Sequence, residues 1–182
     1  GPNLVAVDGR EMTARHVLVA TGARPHVPAI PGAEFGITSN EIFHLATLPK
    51  RAIVCGGGYI ANEFAAILNQ LGVEVTLVLR SDVLLRGWDR SLADRLLAMS
   101  KARGLRFHLD APPERLERQA DGTLRLHCGG EVLETDLLLW ATGRVPNSEG
   151  LGLEALGIEP GRHGAIPVDA ASHTALPWLH AV

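Results

Sequence analysis

The pattern of apolar and polar positions changes several times along this chain, and each change marks an element. Arg51 to Gly56, "RAIVCG", is a short apolar run that meets glycines, as a strand buried on both faces does. From Tyr59 to Leu71 the apolar residues Ile60, Phe64, Ile67, Leu68 and Leu71 recur at helical spacing, and Gly72 supplies the stop. Glu74 to Arg80, "EVTLVLR", returns to a strand. Strand, helix and strand fit into 30 residues, the size of one βαβ unit. A second helix is predicted from an N-cap at Asp89 through Leu92, Leu96 and Met99 to Gly104, with "LRFHLD" at Leu105 to Asp110 as the third strand.

Beyond residue 110 the period shortens. "ERLERQA", "TLRLHC" and "EVLETD" are separated by the turn signals Asp121-Gly122 and Gly129-Gly130, which predicts an antiparallel meander. "LLLWA" at Leu137 to Ala141 is again a buried-strand run. Residues 1 to 36 contain "NLVAVDG", "HVLVATG" and the loop "ARPHVPAIPG", where Pro25, Pro28 and Pro31 exclude a helix. Residues 147 to 182 are loop-rich, with short strand candidates at Ala165 to Val168 and Trp178 to Val182. Each end is too small to bury a core by itself. "VLVATGARP" (Val17 to Pro25) and "LLWATGRVP" (Leu138 to Pro146) share a strand, Ala-Thr-Gly and a proline at one offset, so they read as two crossings of one kind of boundary. The chain does not begin with Met and stops inside the strand-like "LPWLHAV", which reads as a piece of something longer.

Composition narrows the partners. Apolar content is 46%, charged content 20% and net charge −3, the values of an ordinary soluble domain and not those of a nucleic-acid binder. No apolar run has the length of a membrane-spanning helix and no leader pattern opens the chain, so a soluble, cytoplasmic setting is expected. Cys55 and Cys128 lie 73 positions apart, without the spacing of a redox pair, and are expected to be packing residues. The eight histidines show no metal-binding spacing, and no metal is assigned. Only Lys50 and Lys101 are lysine among 17 basic residues, so a single arginine means little here.

Gly56, Gly58 and Ala61 form G-x-G-x-x-A where the first strand meets the first helix. The first glycine permits the tight turn, the second lets a pyrophosphate approach the backbone, and the alanine lets helix and strand pack closely. The helix N-terminus then offers free N–H groups and its dipole to the phosphates. At the end of the second strand, where an acid favours a free ribose 2′-hydroxyl, the chain has Arg80, with Arg86 six residues on. Two guanidiniums there make a pocket for a 2′-phosphate, which favours NADPH over NADH. Asp82 is the competing acidic candidate, and a solvated arginine pair is the bland alternative. Tyr59 and Glu63 lie on the first turn and a half of the helix, where a rim aromatic and a surface acid are also ordinary.

"CGGGYIANEFAAILNQLG", "RSDVLLRGWD" and "LLLWATGRVPN" together resemble the central region of the flavin-dependent pyridine nucleotide-disulfide oxidoreductases, and with "ITSNEIFHL" (Ile37 to Leu45) look most like their glutathione reductase branch. The resemblance implies an α/β fold: a Rossmann-like three-layer NAD(P)-binding domain with a parallel sheet and a β-meander at residues 37–147. It would be flanked by partial FAD-domain segments at 1–36 and 148–182. It implies that, beside the motif residues Gly56, Gly58 and Ala61 of the cofactor site, Gly57 and Ile60 line the pyrophosphate and nicotinamide ribose, that Glu63 sits beside the nicotinamide, and that Arg80 and Arg86 take the 2′-phosphate. Gly143 would make a backbone contact to NADPH, Tyr59 would be an aromatic gate over the flavin, and Thr21, Gly22 and Arg144 would lie on the FAD side. Asn62 stands where a branched apolar residue is usual, and Gly87-Trp88 where Ser-Phe or Gly-Phe is common.

The parent implied is a homodimer that passes hydride from NADPH through FAD and a redox disulfide to glutathione disulfide. This stretch has no CxxxxC pair, first FAD glycine motif or C-terminal histidine segment, so alone it is expected to bind NADPH and turn nothing over. A dihydrolipoamide dehydrogenase or mercuric reductase type of parent, or a non-catalytic nucleotide-sensing module, are the alternatives.

Overall fold

A computed structural model describes residues 3–182. The first strands are β1 (Leu4–Val7), β2 (Arg10–Thr13), β3 (Val17–Val19) and β4 (Ala23–Pro25). They are followed by β5 (Ile37–Thr38), β6 (Arg51–Cys55), α1 (Tyr59–Gln70), β7 (Glu74–Val78), α2 (Arg90–Ala102) and β8 (Arg106–His108). Three strands, β9 (Pro113–Arg118), β10 (Leu124–Cys128) and β11 (Glu131–Thr135), precede β12 (Leu137–Trp140), β13 (Arg144–Pro146) and β14 (Leu179–Ala181). Packing divides the chain into a larger unit, Pro25–Gly143, and a smaller one made of the residues up to Arg24 with Arg144–Val182.

The larger unit is built on a parallel sheet of order β5-β12-β6-β7-β8. Alternation along β6 decides which layer each residue serves. Ala52 and Val54 point to one face, where they pack with Ala61, Ala65 and Leu68 of α1 and with Val75, Leu77 and Leu139. Ile53 and Cys55 point to the other, where Val78, Leu138 and Trp140 meet Leu116, Leu124, Leu126 and Cys128 of the meander. Both faces are dry, which is why β6 and β12 read as continuous apolar runs. The meander is antiparallel in the order β11-β10-β9. Helices, sheet and meander form the three layers expected.

Two features hold the layers in register. Asp136 accepts hydrogen bonds from the Arg51 backbone N–H at 2.9 Å and from its guanidinium at 2.8 Å, tying the start of β6 to the start of β12. The Arg51 guanidinium beside it holds the Asp136 carboxyl below its ordinary range. Residues 25–36 also pack against the sheet: the Trp140 indole N–H donates to the Ala33 carbonyl at 2.8 Å, and the Leu116 N–H donates to the Pro31 carbonyl at 2.9 Å. At Gly36 any side chain would come within 2.5 Å of the Trp140 indole nitrogen. The larger unit therefore starts at Pro25, twelve positions before residue 37.

In the smaller unit β1 and β2 form an antiparallel hairpin across Asp8 and Gly9, both with positive φ as a two-residue hairpin turn requires. There β3 runs parallel to β14, and β4 pairs with β13. The Trp178 to Val182 candidate is realised as β14. Ala165 to Val168 is not a strand: it has no ladder partner, and Pro167 has no N–H to give one. Among the described residues no helix is long and apolar enough to cross a membrane.

Candidate nucleotide-binding site

At the carboxyl end of β6 the chain turns through Gly56, whose φ of +133° belongs to glycine and at which a side chain would run into the Ala141 carbonyl. Its N–H donates to the Val78 carbonyl at 2.9 Å, so the turn is pinned to β7. A side chain at Gly57 would press on Leu79, 2.6 Å away. Gly58 is different: it is the N-cap of α1, no side chain caps the helix there, and nothing lies within 4 Å of where its Cβ would be. The first turn of α1 thus begins with free N–H groups beside open space, the arrangement that attracts an anion.

The segment after β7 folds back onto this turn. The Leu85 N–H donates to the Gly57 carbonyl at 2.7 Å, and Leu85 takes a φ of +49°, an uncommon state for a bulky side chain. The result is a cleft of about 510 Å³ between the glycine turn, the Arg80–Trp88 loop and the end of β12. Arg80 and Arg86 both line it, both are exposed, and neither has a hydrogen bond or ion pair among the described residues. Asp82 does not line the cleft and is engaged by Arg90 at 3.4 Å, while Arg90 also holds Asp94 at 2.9 Å. Two cations therefore face the cleft from this loop, and no acid lines it.

Of the residues expected at the cofactor, Gly56, Gly57, Gly58, Tyr59, Arg80, Arg86 and Gly143 share this cleft. Tyr59 stands 58% exposed in it. Gly143 has a φ of +127° and open space at its Cα, and its carbonyl accepts from the His26 N–H at 2.9 Å. Ile60, Ala61 and Glu63 do not line it. Ala61 is fully buried between α1 and the sheet, which is the packing role its small side chain suits, and Glu63 faces solvent on α1. Thr21, Gly22 and Arg144 belong to the smaller unit. There the Thr21 hydroxyl donates to the Asn147 carbonyl at 2.7 Å, the Asn147 N–H donates to the Gly22 carbonyl at 2.9 Å, and Arg144 donates to the Ala23 carbonyl. They tie β4 to β13.

The sequence marks two further contributors only as departures from a usual pattern. The Asn62 side-chain amide donates to the carbonyls of Gly57 (3.1 Å) and Gly58 (2.8 Å), so the polar residue where an apolar one is usual braces the glycine turn. Trp88 lines the cleft at 68% exposure, and a tryptophan two residues after Arg86 is the only signal the sequence offers for it. The cysteines take no part: both are buried free thiols, with Cys55 pushed far up by burial and Cys128 pushed up to about 11, so both stay protonated at neutral pH.

A glycine turn feeding a helix N-terminus at the carboxyl edge of a parallel sheet, with cations beyond the second strand, defines a dinucleotide-binding α/β domain, and the open space at Gly58 and the free guanidiniums fit the phosphates of such a ligand. The family model described as pyridine nucleotide-disulphide oxidoreductase matches residues 1–182, and the chain belongs to that family. It is 42% identical over 182 residues to glutathione reductase of Burkholderia cepacia, a match covering 100% of this chain and 40% of that protein. It is also 42% identical over 182 residues to mitochondrial thioredoxin reductase 2 of Drosophila melanogaster, covering 95% of this chain and 34% of that one. Among solved structures, the HOCl-induced flavoprotein disulfide reductase RclA from Escherichia coli superposes with a TM-score of 0.89 at 30% identity, over 99% of this chain and 42% of that one. The chain thus spans 34–42% of the length of these three proteins.

Proposed function

We propose that residues 37–147 are the NADPH-binding domain of a flavoprotein disulfide reductase, that 1–36 and 148–182 belong to its FAD domain, and that the whole protein, a cytoplasmic homodimer, reduces glutathione disulfide. A nicotinamide cofactor held here would supply two electrons as a hydride, and FAD and a redox disulfide in the whole protein would supply the remaining electron-transfer chemistry. The residues of this chain bind and orient. Gly58 and the N–H groups opening α1 hold the pyrophosphate, Arg80 and Arg86 hold the 2′-phosphate, and Gly143 offers backbone. Tyr59 shields the nicotinamide side, where Ile60 and Glu63 belong, and Thr21, Gly22 and Arg144 serve the FAD side.

One observation carries the reading: the two guanidiniums in the cleft are unpartnered while the nearby acid, Asp82, is taken up by Arg90. A charge-assisted hydrogen bond contributes about 1.5–3 kcal/mol, so each arginine is expected to favour the 2′-phosphorylated cofactor by ~10- to 100-fold. Calorimetric titration should show NADPH binding well above NADH, and Arg80→Glu should remove the preference. Equal affinities in the unaltered chain would overturn the assignment.

The 42% identity to thioredoxin reductase 2 favours a second reading in which the disulfide belongs to a protein. Turnover by the full-length enzyme on glutathione disulfide and on oxidised thioredoxin separates the two.

A further inference from the structure

We propose that His26 is a further cofactor-binding residue, whose Nε2 donates a hydrogen bond to the phosphate on the nicotinamide side of the bound dinucleotide. This contact rests on the assignment of the cleft to NADPH. His26 lines the same cleft as the glycine turn and the two arginines. Strand order sets where it stands. Arg80 and Arg86 follow β7, on one side of β6, whereas His26 is fastened to the residues that follow β12, on the other. The glycine turn lies between them: the Ala141 N–H donates to the Cys55 carbonyl at 2.8 Å, and at Gly56 a side chain would strike the Ala141 carbonyl. A dinucleotide with its 2′-phosphate at the arginines and its pyrophosphate at the helix N-terminus therefore extends its nicotinamide half toward His26.

The backbone fixes the position of His26, and Thr142 fixes the state of its ring. The His26 N–H donates to the Gly143 carbonyl at 2.9 Å, and the Thr142 hydroxyl donates to the His26 carbonyl at 2.7 Å. A hydroxyl has one proton, and that bond uses it. Thr142 Oγ1 also lies 3.2 Å from His26 Nδ1, so in this contact the oxygen accepts and Nδ1 carries the hydrogen. Nε2 is the ring's remaining polar atom, without a partner among the described residues. In the neutral ring it is a lone pair, which a phosphate oxygen repels. In the imidazolium it is an N–H, which a phosphate accepts as a charge-assisted hydrogen bond while the Thr142 contact is kept.

The other titratable or charged side chains lining the cleft are Cys55, Tyr59, Arg80 and Arg86, and none is a carboxylate. The cations flanking this segment in sequence are engaged elsewhere, Arg24 by Glu149 and Arg144 by the Ala23 carbonyl. A phosphate from outside the chain is then the anion open to His26.

Two substitutions separate the nitrogens. His26→Asn keeps a donor at the Nδ1 position, facing Thr142, and lacks Nε2, whereas His26→Gln puts an uncharged donor near the Nε2 position. Both leave the backbone bonds in place. The test is calorimetric titration with NADPH and with adenosine 2′,5′-bisphosphate, which carries the 2′-phosphate but lacks the nicotinamide-side phosphate, at about pH 6 and about pH 8.5, across the range in which histidines change charge. At the lower pH His26→Asn should weaken NADPH about tenfold and the bisphosphate by less than about twofold, and at the higher pH the NADPH loss should shrink to about twofold. A 2′-phosphate itself titrates near about pH 6, so the reading is the ratio of the unaltered chain to His26→Asn at one pH, in which that effect cancels. His26→Gln should bind NADPH with intermediate affinity, and its ratio to His26→Asn should not change with pH. The proposal is overturned if His26→Asn binds NADPH as tightly as the unaltered chain at the lower pH, or if it weakens both ligands equally, which would mark a distorted cleft. Failure of the unaltered chain to bind NADPH would overturn the cofactor assignment, and this contact with it.

Discussion

The Arg80–Trp88 loop and the outer face of the meander carry the same residue in opposite circumstances. On the meander Arg125 and Glu134 are ladder partners 2.8 Å apart, Arg115 lies 3.2 Å from Glu117, and His127 lies 3.3 Å from the same carboxylate. Each charge there is answered across or along the strands, as solvated sheet faces arrange themselves. In the loop Arg80 and Arg86 have no partner among the described residues, although Asp82 is only two residues from Arg80. Local compensation is common on this surface but not universal: Arg95 and Arg103 also have no ion pair among the described residues, and neither lines the cleft. Two cations left without it in a cleft beside a helix N-terminus support the proposed seat for an anion from outside the chain.

The largest effect expected from breaking this contrast is at the loop. Replacing both Arg80 and Arg86 by Ala removes two charge-assisted contacts, which should weaken NADPH binding by about 10²- to 10⁴-fold while shifting NADH by only a few-fold. Titration of both cofactors against the double variant reads the difference directly. Parallel losses would show that the arginines support the fold of the cleft and do not distinguish the cofactors.

Much of this site is legible in the sequence because its signals are local. "RAIVCGGG" followed by a helical period needs only its own residues to become strand, turn and helix, and the Asp89 cap forms as read, with its carboxylate accepting the Ser91 N–H at 2.8 Å. What could not be read depends on distant partners. Residues 25–36 look like a free proline loop until the Trp140 indole reaches the Ala33 carbonyl, 107 positions away. Strand β2, "REMT", is polar and exposed and has no alternation to announce it; only its hairpin partner makes it a strand. Asn62 reads in the sequence only as a departure from an apolar position, because its two backbone acceptors appear only once the glycine turn has closed.

An arginine between the two extremes sharpens the comparison. Arg51 is paired like those on the meander, but with Asp136 at a half-buried corner where two backbone strands depend on the contact. Asp136→Asn keeps the shape and loses the charge, and should cost about 1–2 kcal/mol in urea unfolding, less than a fully buried pair because water reaches both side chains. The pH dependence has a definite sign. A carboxyl whose folded pKa is depressed contributes stability above its unfolded value of about 3.9 and loses it as pH falls through the folded value. The gap between the unaltered chain and the variant should therefore close in acid below about pH 4. A gap that persists there would mean that the Arg51 hydrogen-bond geometry matters and its charge does not.

The smallest effect belongs to the meander itself. Arg125→Ala removes an ion pair whose two side chains are 45% and 47% exposed, where the Coulomb gain is screened and the ordering of two long side chains offsets much of it. Its cost should stay within about 0.5 kcal/mol, and NADPH affinity should not change. This near-null result carries weight because Arg125 and Arg80 are the same cation on the same unit. If NADPH binding fell as far with Arg125→Ala as with a loop variant, the protein's overall field would be attracting the cofactor, and the unpartnered state of Arg80 and Arg86 would lose its meaning. If only the loop variants respond, affinity follows the missing partner and not the charge.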